Sequence, residues 1–89
     1  SKAITTNYII EITGTNSLEF MGSIGGGGSS RSIEGSIPAT YEVSDWPAVA
    51  VIQKKGEYGT LTVKISKNGR MLDSQTTSAS YGVVTVSSG

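Results

Sequence analysis

The sequence predicts an all-β fold, an immunoglobulin-like antiparallel β-sandwich of about seven strands. Three observations predict it. Short apolar runs alternate with polar residues at a period of two, turn residues recur between the runs, and no window carries a capped 3.6-residue apolar period. Successive side chains of a strand point to opposite faces, so alternation marks a strand with one buried and one wet face.

Tyr8, Ile10 and Ile12 share one face of a first strand, with Asn7, Glu11 and Thr13 on the other. The turn-prone Gly14-Thr15-Asn16 separates it from a second strand that begins with Leu18 and Phe20. Residues 25–30 (GGGGSS) read as a flexible loop, because glycine loses more backbone entropy on ordering than any other residue. Ile33 and Ile37 mark a third strand ended by Pro38, which has no N–H to give to a ladder. Tyr41 and Val43 belong to a short fourth. Residues 48–53 (AVAVIQ) are the most continuous apolar run and read as a central strand.

Leu61, Val63 and Ile65 then alternate with Thr60, Thr62, Lys64 and Ser66. Asn68-Gly69 follows, the preferred pair for a type I′ hairpin because both residues accept positive φ. Residues 70–76 return as the partner strand, with Met71 and Leu72 as its apolar members, and residues 81–86 (YGVVTV) close the fold. No internal repeat is present.

At 89 residues the chain makes one domain, 1–89. A chain this short buries only roughly 60–65% of its unfolded surface, and without cysteine no disulfide supplements the core. Seven basic and seven acidic residues give a net charge of zero, so the basic field that nucleic-acid binding needs is missing. The one basic pair, Lys54 and Lys55, reads as a solvated strand end before a turn. Serine and threonine make up 24 residues while charged residues are 16%, a hydroxyl-rich surface of the kind extracytoplasmic β domains carry. No apolar stretch of about 18 residues is present. The start Ser1-Lys2-Ala3 suits a chain from which a leader or anchor has been removed.

Histidine is absent along with cysteine. That removes Ser-His-Asp and Cys-His catalysis, His-ligated zinc and haem, and thiol redox chemistry. The remaining acids are Glu11, Glu19, Glu34, Glu42, Asp45, Glu57 and Asp73, and no two form a recognisable catalytic pair. The expectation is therefore no enzyme, with no catalytic residues, no cofactor and no metal. Calcium through Glu42 and Asp45 is conceivable with oxygen ligands, but neither loop has the dense Asp/Asn spacing of a dedicated site. The tract 25–28 lacks the following helix that a phosphate cradle requires. Trp46-Pro47, with Tyr41 and Tyr58, forms the candidate contact surface: an aromatic platform for sugar, lipid or a partner protein. The competing reading is a half-buried edge of the core.

The run 61–86, LTVKISKNGRMLDSQTTSASYGVVTV, resembles the C-terminal half of the MmpS-type proteins, the small mycobacterial membrane proteins. The shared pattern is a strand, an Asn-Gly hairpin, a Ser/Thr-rich return strand and a closing strand. YIIEITGT is similar to the family's first strand, with Tyr8, Glu11 and Gly14 at comparable places, and Ile37-Pro38 resembles its Leu-Pro-Trp stretch without the directly following Trp. The family's two cysteines are missing; Val63 and Val86 stand at the matching positions, where an apolar core contact replaces the bridge. The resemblance implies a membrane anchor ahead of this segment, an extracytoplasmic β-sandwich, and a role as accessory partner of large lipid or siderophore exporters. A lipoprotein relative would keep the fold without that partner.

The function expected is a non-enzymatic, extracytoplasmic accessory or interaction domain of a membrane-anchored or lipoprotein, export-associated protein. It would take a protein partner in the envelope, such as a transporter, or a lipid-like ligand through loops and one sheet edge. The alternative is a carbohydrate-binding or adhesive immunoglobulin-like module that stacks sugars on Trp46 and nearby tyrosines.

Overall fold

The computed structural model describes residues 7–44 and 47–88. Among them are eight strands and no helix: β1 (Tyr8–Gly14), β2 (Glu19–Gly26), β3 (Ser29–Ser36), β4 (Ala39–Val43), β5 (Ala48–Lys54), β6 (Leu61–Lys67), β7 (Arg70–Thr77) and β8 (Val83–Ser87). Two antiparallel sheets of four result, ordered β4-β1-β6-β7 and β3-β2-β5-β8. The all-β sandwich class follows directly from the alternation in the sequence.

The positions that alternation turns inward make one core. Tyr8, Ile10 and Ile12 of β1 and Leu61, Val63 and Ile65 of β6 meet Phe20 and Ile24 of β2, Ala48, Ala50 and Ile52 of β5, and Val84 and Val86 of β8. None of these is more than 6% exposed. Burying each of the larger aliphatic side chains stabilises the fold by roughly 1.5–3 kcal/mol. Val63 and Val86 lie on strands that face each other across this core. The central strands β1, β6, β2 and β5 supply most of it, and the edge strands β3 and β7 are largely exposed.

Several expectations differ from the structure. The strands number eight, and β3 and β4, separated at Pro38 as the sequence predicts, belong to opposite sheets. Residues 25–30 are not an irregular loop. Gly25 and Gly26 pair with Ser30 and Ser29, leaving only Gly27 and Gly28 as the turn. Their φ values of +62° and +92° are the positive pair a type I′ turn requires, and Asn68 (+54°) and Gly69 (+79°) repeat it between β6 and β7.

Met71 and Leu72, the apolar members of β7, are exposed. Ile65 sits opposite Asp73 but Ser66 opposite Met71, so Leu72 is the extra residue of a β-bulge. Met71, opposite Ser66, lies on the outer face and is 59% exposed, while the inserted residue leaves Leu72 40% exposed and hands the position opposite Ile65 to Asp73. The inward positions pass to Asp73, Gln75 and Thr77, which pair with Ile65, Val63 and Leu61. Lys54 is not solvated either: it takes an inward position at the end of β5 and is 0% exposed. Tyr81 precedes β8 in a turn, at φ +53°.

Candidate functional site

A sandwich presents two outer faces, two pairs of edge strands and two ends, and in this chain they are unequal. The edges β7 and β8 lie side by side, and Asp73 joins them. Its Oδ2 accepts the Ser87 N–H at 3.3 Å and its Oδ1 accepts the Ser74 N–H at 2.8 Å. An outward N–H of β8 is thereby satisfied from within the molecule. On this side of the sandwich the two edges are tied to each other.

The other side is open along β3, the eight-residue edge of its sheet. Antiparallel pairing sends alternate residues' backbone groups to opposite sides of a strand. Gly26 and Ser29 close the hairpin, and the Ile37 N–H still donates to the Leu18 carbonyl at 2.9 Å, so the odd-numbered residues bond to β2. The N–H and C=O groups of Ser30, Ser32, Glu34 and Ser36 therefore point away from the sheet, and no group among the described residues takes them. The strand has no proline, lysine or bulge, which are devices that usually blunt an edge. Of its two charges, Glu34 accepts Lys55 Nζ at 3.3 Å, whereas Arg31 has no carboxylate partner among the described residues. The Lys55 cluster, which also reaches Glu19 at 3.9 Å, is solvent-exposed and contributes at most about 1 kcal/mol.

Of the residues expected to form an aromatic platform, the described tyrosines Tyr41 and Tyr58 do not share one surface. Tyr41 packs inside the sandwich mouth, edge-on to Phe20 with ring centroids 6.5 Å apart. Pro47 precedes β5 and Tyr58 follows it, so a seven-residue strand, roughly 23 Å long, separates them. Tyr58 is 84% exposed, and Trp46 lies outside the described residues.

The titratable groups are also dispersed. Glu11, Glu19, Glu34, Glu42 and Glu57 are all exposed, Glu42 accepts the Asn7 side-chain amide at 2.9 Å, and Asp73 is occupied by two backbone N–H groups. Asp45, invoked with Glu42 for calcium, lies outside the described residues. Among the described residues no three acids converge on a point where a cation could sit.

Lys54 is the one buried charged side chain among the described residues. Its Nζ donates to the Ala79 carbonyl at 2.8 Å, and its N–H donates to the Gly82 carbonyl at 2.9 Å. The turn it pins is held further by Thr77 Oγ1, which accepts the Ala79 N–H at 3.1 Å. The role is to tie the turn before β8 to the end of β5.

The open β3 edge is hidden in the sequence because a four-glycine tract reads as a loop and shortens the strand behind it. The available signal was Gly-Gly as a two-residue turn, flanked by serines able to pair. No family model, no curated protein and no solved structure matches this chain, so its candidate site is defined by its own geometry.

Proposed function

We propose that this chain is a non-enzymatic interaction module that takes an extended segment of an envelope protein onto the β3 edge. It works outside the cytoplasm, as the accessory domain of a membrane-anchored or lipoprotein, export-associated protein. The observation that carries this reading is the eight-residue edge with the unpaired backbone groups of Ser30, Ser32, Glu34 and Ser36. An added strand makes a hydrogen bond at each such group, each contributing about 0.5–1.5 kcal/mol net. Small serine side chains let a second backbone approach, and the unpaired Arg31 favours a segment with an acidic residue opposite it. The extracytoplasmic setting is supported by the 24 hydroxyl residues and by the resemblance to MmpS-type proteins. The sugar-binding alternative depends on Trp46, and Tyr41, packed edge-on to Phe20, does not share an open platform with the exposed Tyr58.

The test uses Ser32→Pro, which removes an outward N–H without touching a bond to β2. Tagged wild-type chain should capture an envelope protein from native membranes, and Ser32→Pro should reduce that capture at least about tenfold, the equivalent of roughly 1.4 kcal/mol. Capture that is absent, or unchanged in Ser32→Pro, would refute the reading.

A further inference from the structure

At the end of the sandwich that carries the Asn68-Gly69 turn, β6 and β7 place two cations directly opposite each other. Lys67 pairs with Arg70 in the ladder, so both side chains leave the same face of the hairpin. Like charges in that relation repel. Neither has a carboxylate partner among the described residues, and Asp73, the acid of the same strand, is already engaged by the Ser74 and Ser87 N–H groups.

Two apolar groups stand beside the cations. Lys67 Nζ stands 5.3 Å from the centroid of the Tyr8 ring, which is itself buried as part of the core. The bulge residue Leu72 projects beside them, 40% exposed. Tyr8, Lys67, Arg70, Leu72 and Ser88 line a cleft of about 550 Å³, a volume in the range of small-molecule sites. Two features therefore meet in one place: a like-charge pair without a carboxylate partner and a leucine left exposed by a bulge. A ligand with an anionic head and an apolar body complements both.

We propose that this cleft binds a single-chain anionic amphiphile. Its carboxylate or phosphate head lies between Lys67 and Arg70, and its chain lies along Leu72 and the Tyr8 ring. The proposal rests on the reading of the chain as a binding module, but it uses a surface separate from the β3 edge.

The experiment titrates dodecyl phosphate, below its micelle concentration, into the isotopically labelled chain and follows backbone amide shifts. Inorganic phosphate and the neutral dodecyl maltoside are titrated in parallel. Saturable shifts should centre on Tyr8, Lys67, Arg70 and Leu72. Inorganic phosphate and dodecyl maltoside should each bind at least about tenfold more weakly. Lys67→Gln with Arg70→Gln, both on a hairpin tip, should weaken dodecyl phosphate about tenfold or more, and Leu72→Ser should weaken it without changing the response to inorganic phosphate. Ser32→Pro should leave the titration unchanged, so loss of the edge partner and loss of the amphiphile site are separately visible. The proposal is overturned if inorganic phosphate binds as tightly as dodecyl phosphate. It is equally overturned if the shifts spread over the strand faces, or if the double variant titrates like wild type.

Discussion

Replacing Gly27 with asparagine and, separately, Gly25 with alanine perturbs one hairpin in opposite directions. Gly27 is exposed at φ +62°, a left-handed conformation asparagine accepts, and Gly27→Asn recreates the Asn-Gly pair found at Asn68-Gly69. The native backbone needs no change, while the unfolded chain loses freedom, so stability should rise by about 0.4–1 kcal/mol. Gly25 is different. A Cβ there would run into the Ser29 carbonyl oxygen and stand 2.7 Å from the Ser30 Cα, both on the paired strand. Relief requires the ladder itself to open. Overpacking at about 1–3 kcal/mol, with a weakened backbone hydrogen bond at about 1 kcal/mol, puts the loss near 2–4 kcal/mol. That is a large share of the roughly 4–13 kcal/mol expected for a domain of this size. Urea unfolding followed by far-UV circular dichroism reads both effects as midpoint shifts at constant slope. Thermal scans should show Gly25→Ala lowered by at least about 8 °C and Gly27→Asn raised by a few degrees. If both variants fall within about 0.3 kcal/mol of wild type, residues 25–30 behave as a free loop and the hairpin argument fails.

Val63→Asp should abolish the fold, since an unpaired carboxylate in the core costs several kcal/mol, and a collapsed amide spectrum would report it. Lys54→Ala should cost about 3–5 kcal/mol by removing a charge-assisted bond to Ala79 and emptying the space of three methylenes and the ammonium. Lys54→Met, which refills that space, should cost distinctly less in the same urea assay. Leu72→Thr should change stability by less than about 0.5 kcal/mol, whereas Leu61→Thr should cost more than about 2 kcal/mol; equal losses would mean that Leu72 is buried.

The core was legible because period-two alternation is a direct record of a strand with one wet face. Tyr8, Ile10, Ile12, Leu61, Val63 and Ile65 needed no further information. Asn68-Gly69 was legible because its turn chemistry is local. Leu72 was not, because a bulge is defined by two strands together: only its pairing with β6 shows that one residue is surplus. Lys54 was misread for a related reason. Its inward place follows the β5 alternation, but the carbonyl that receives its ammonium comes from Ala79, 25 residues later. The candidate site was the least legible part. An open edge consists of backbone groups, which every residue carries, so the composition of β3 bears no mark of it. The paired cations Lys67 and Arg70 were visible in the sequence as turn flanks, while their nearness to the Tyr8 ring depends on β1 lying beside β6.

The strand order also dictates how the chain must be assembled. β1 sits between β4 and β6, with Tyr8 opposite Val43 and Ile9 opposite Ser66. Among the described residues only β2–β3 and β6–β7 join neighbours through a two-residue turn. Those hairpins can form within microseconds, but closing the sandwich demands contacts across tens of residues, which places folding in the millisecond-to-second range of all-β domains. During synthesis Ile10 and Ile12 remain without their β6 neighbours until Val63 and Ile65 have been made. In any fragment ending before β6, the β6-facing edge of β1 is left unpaired.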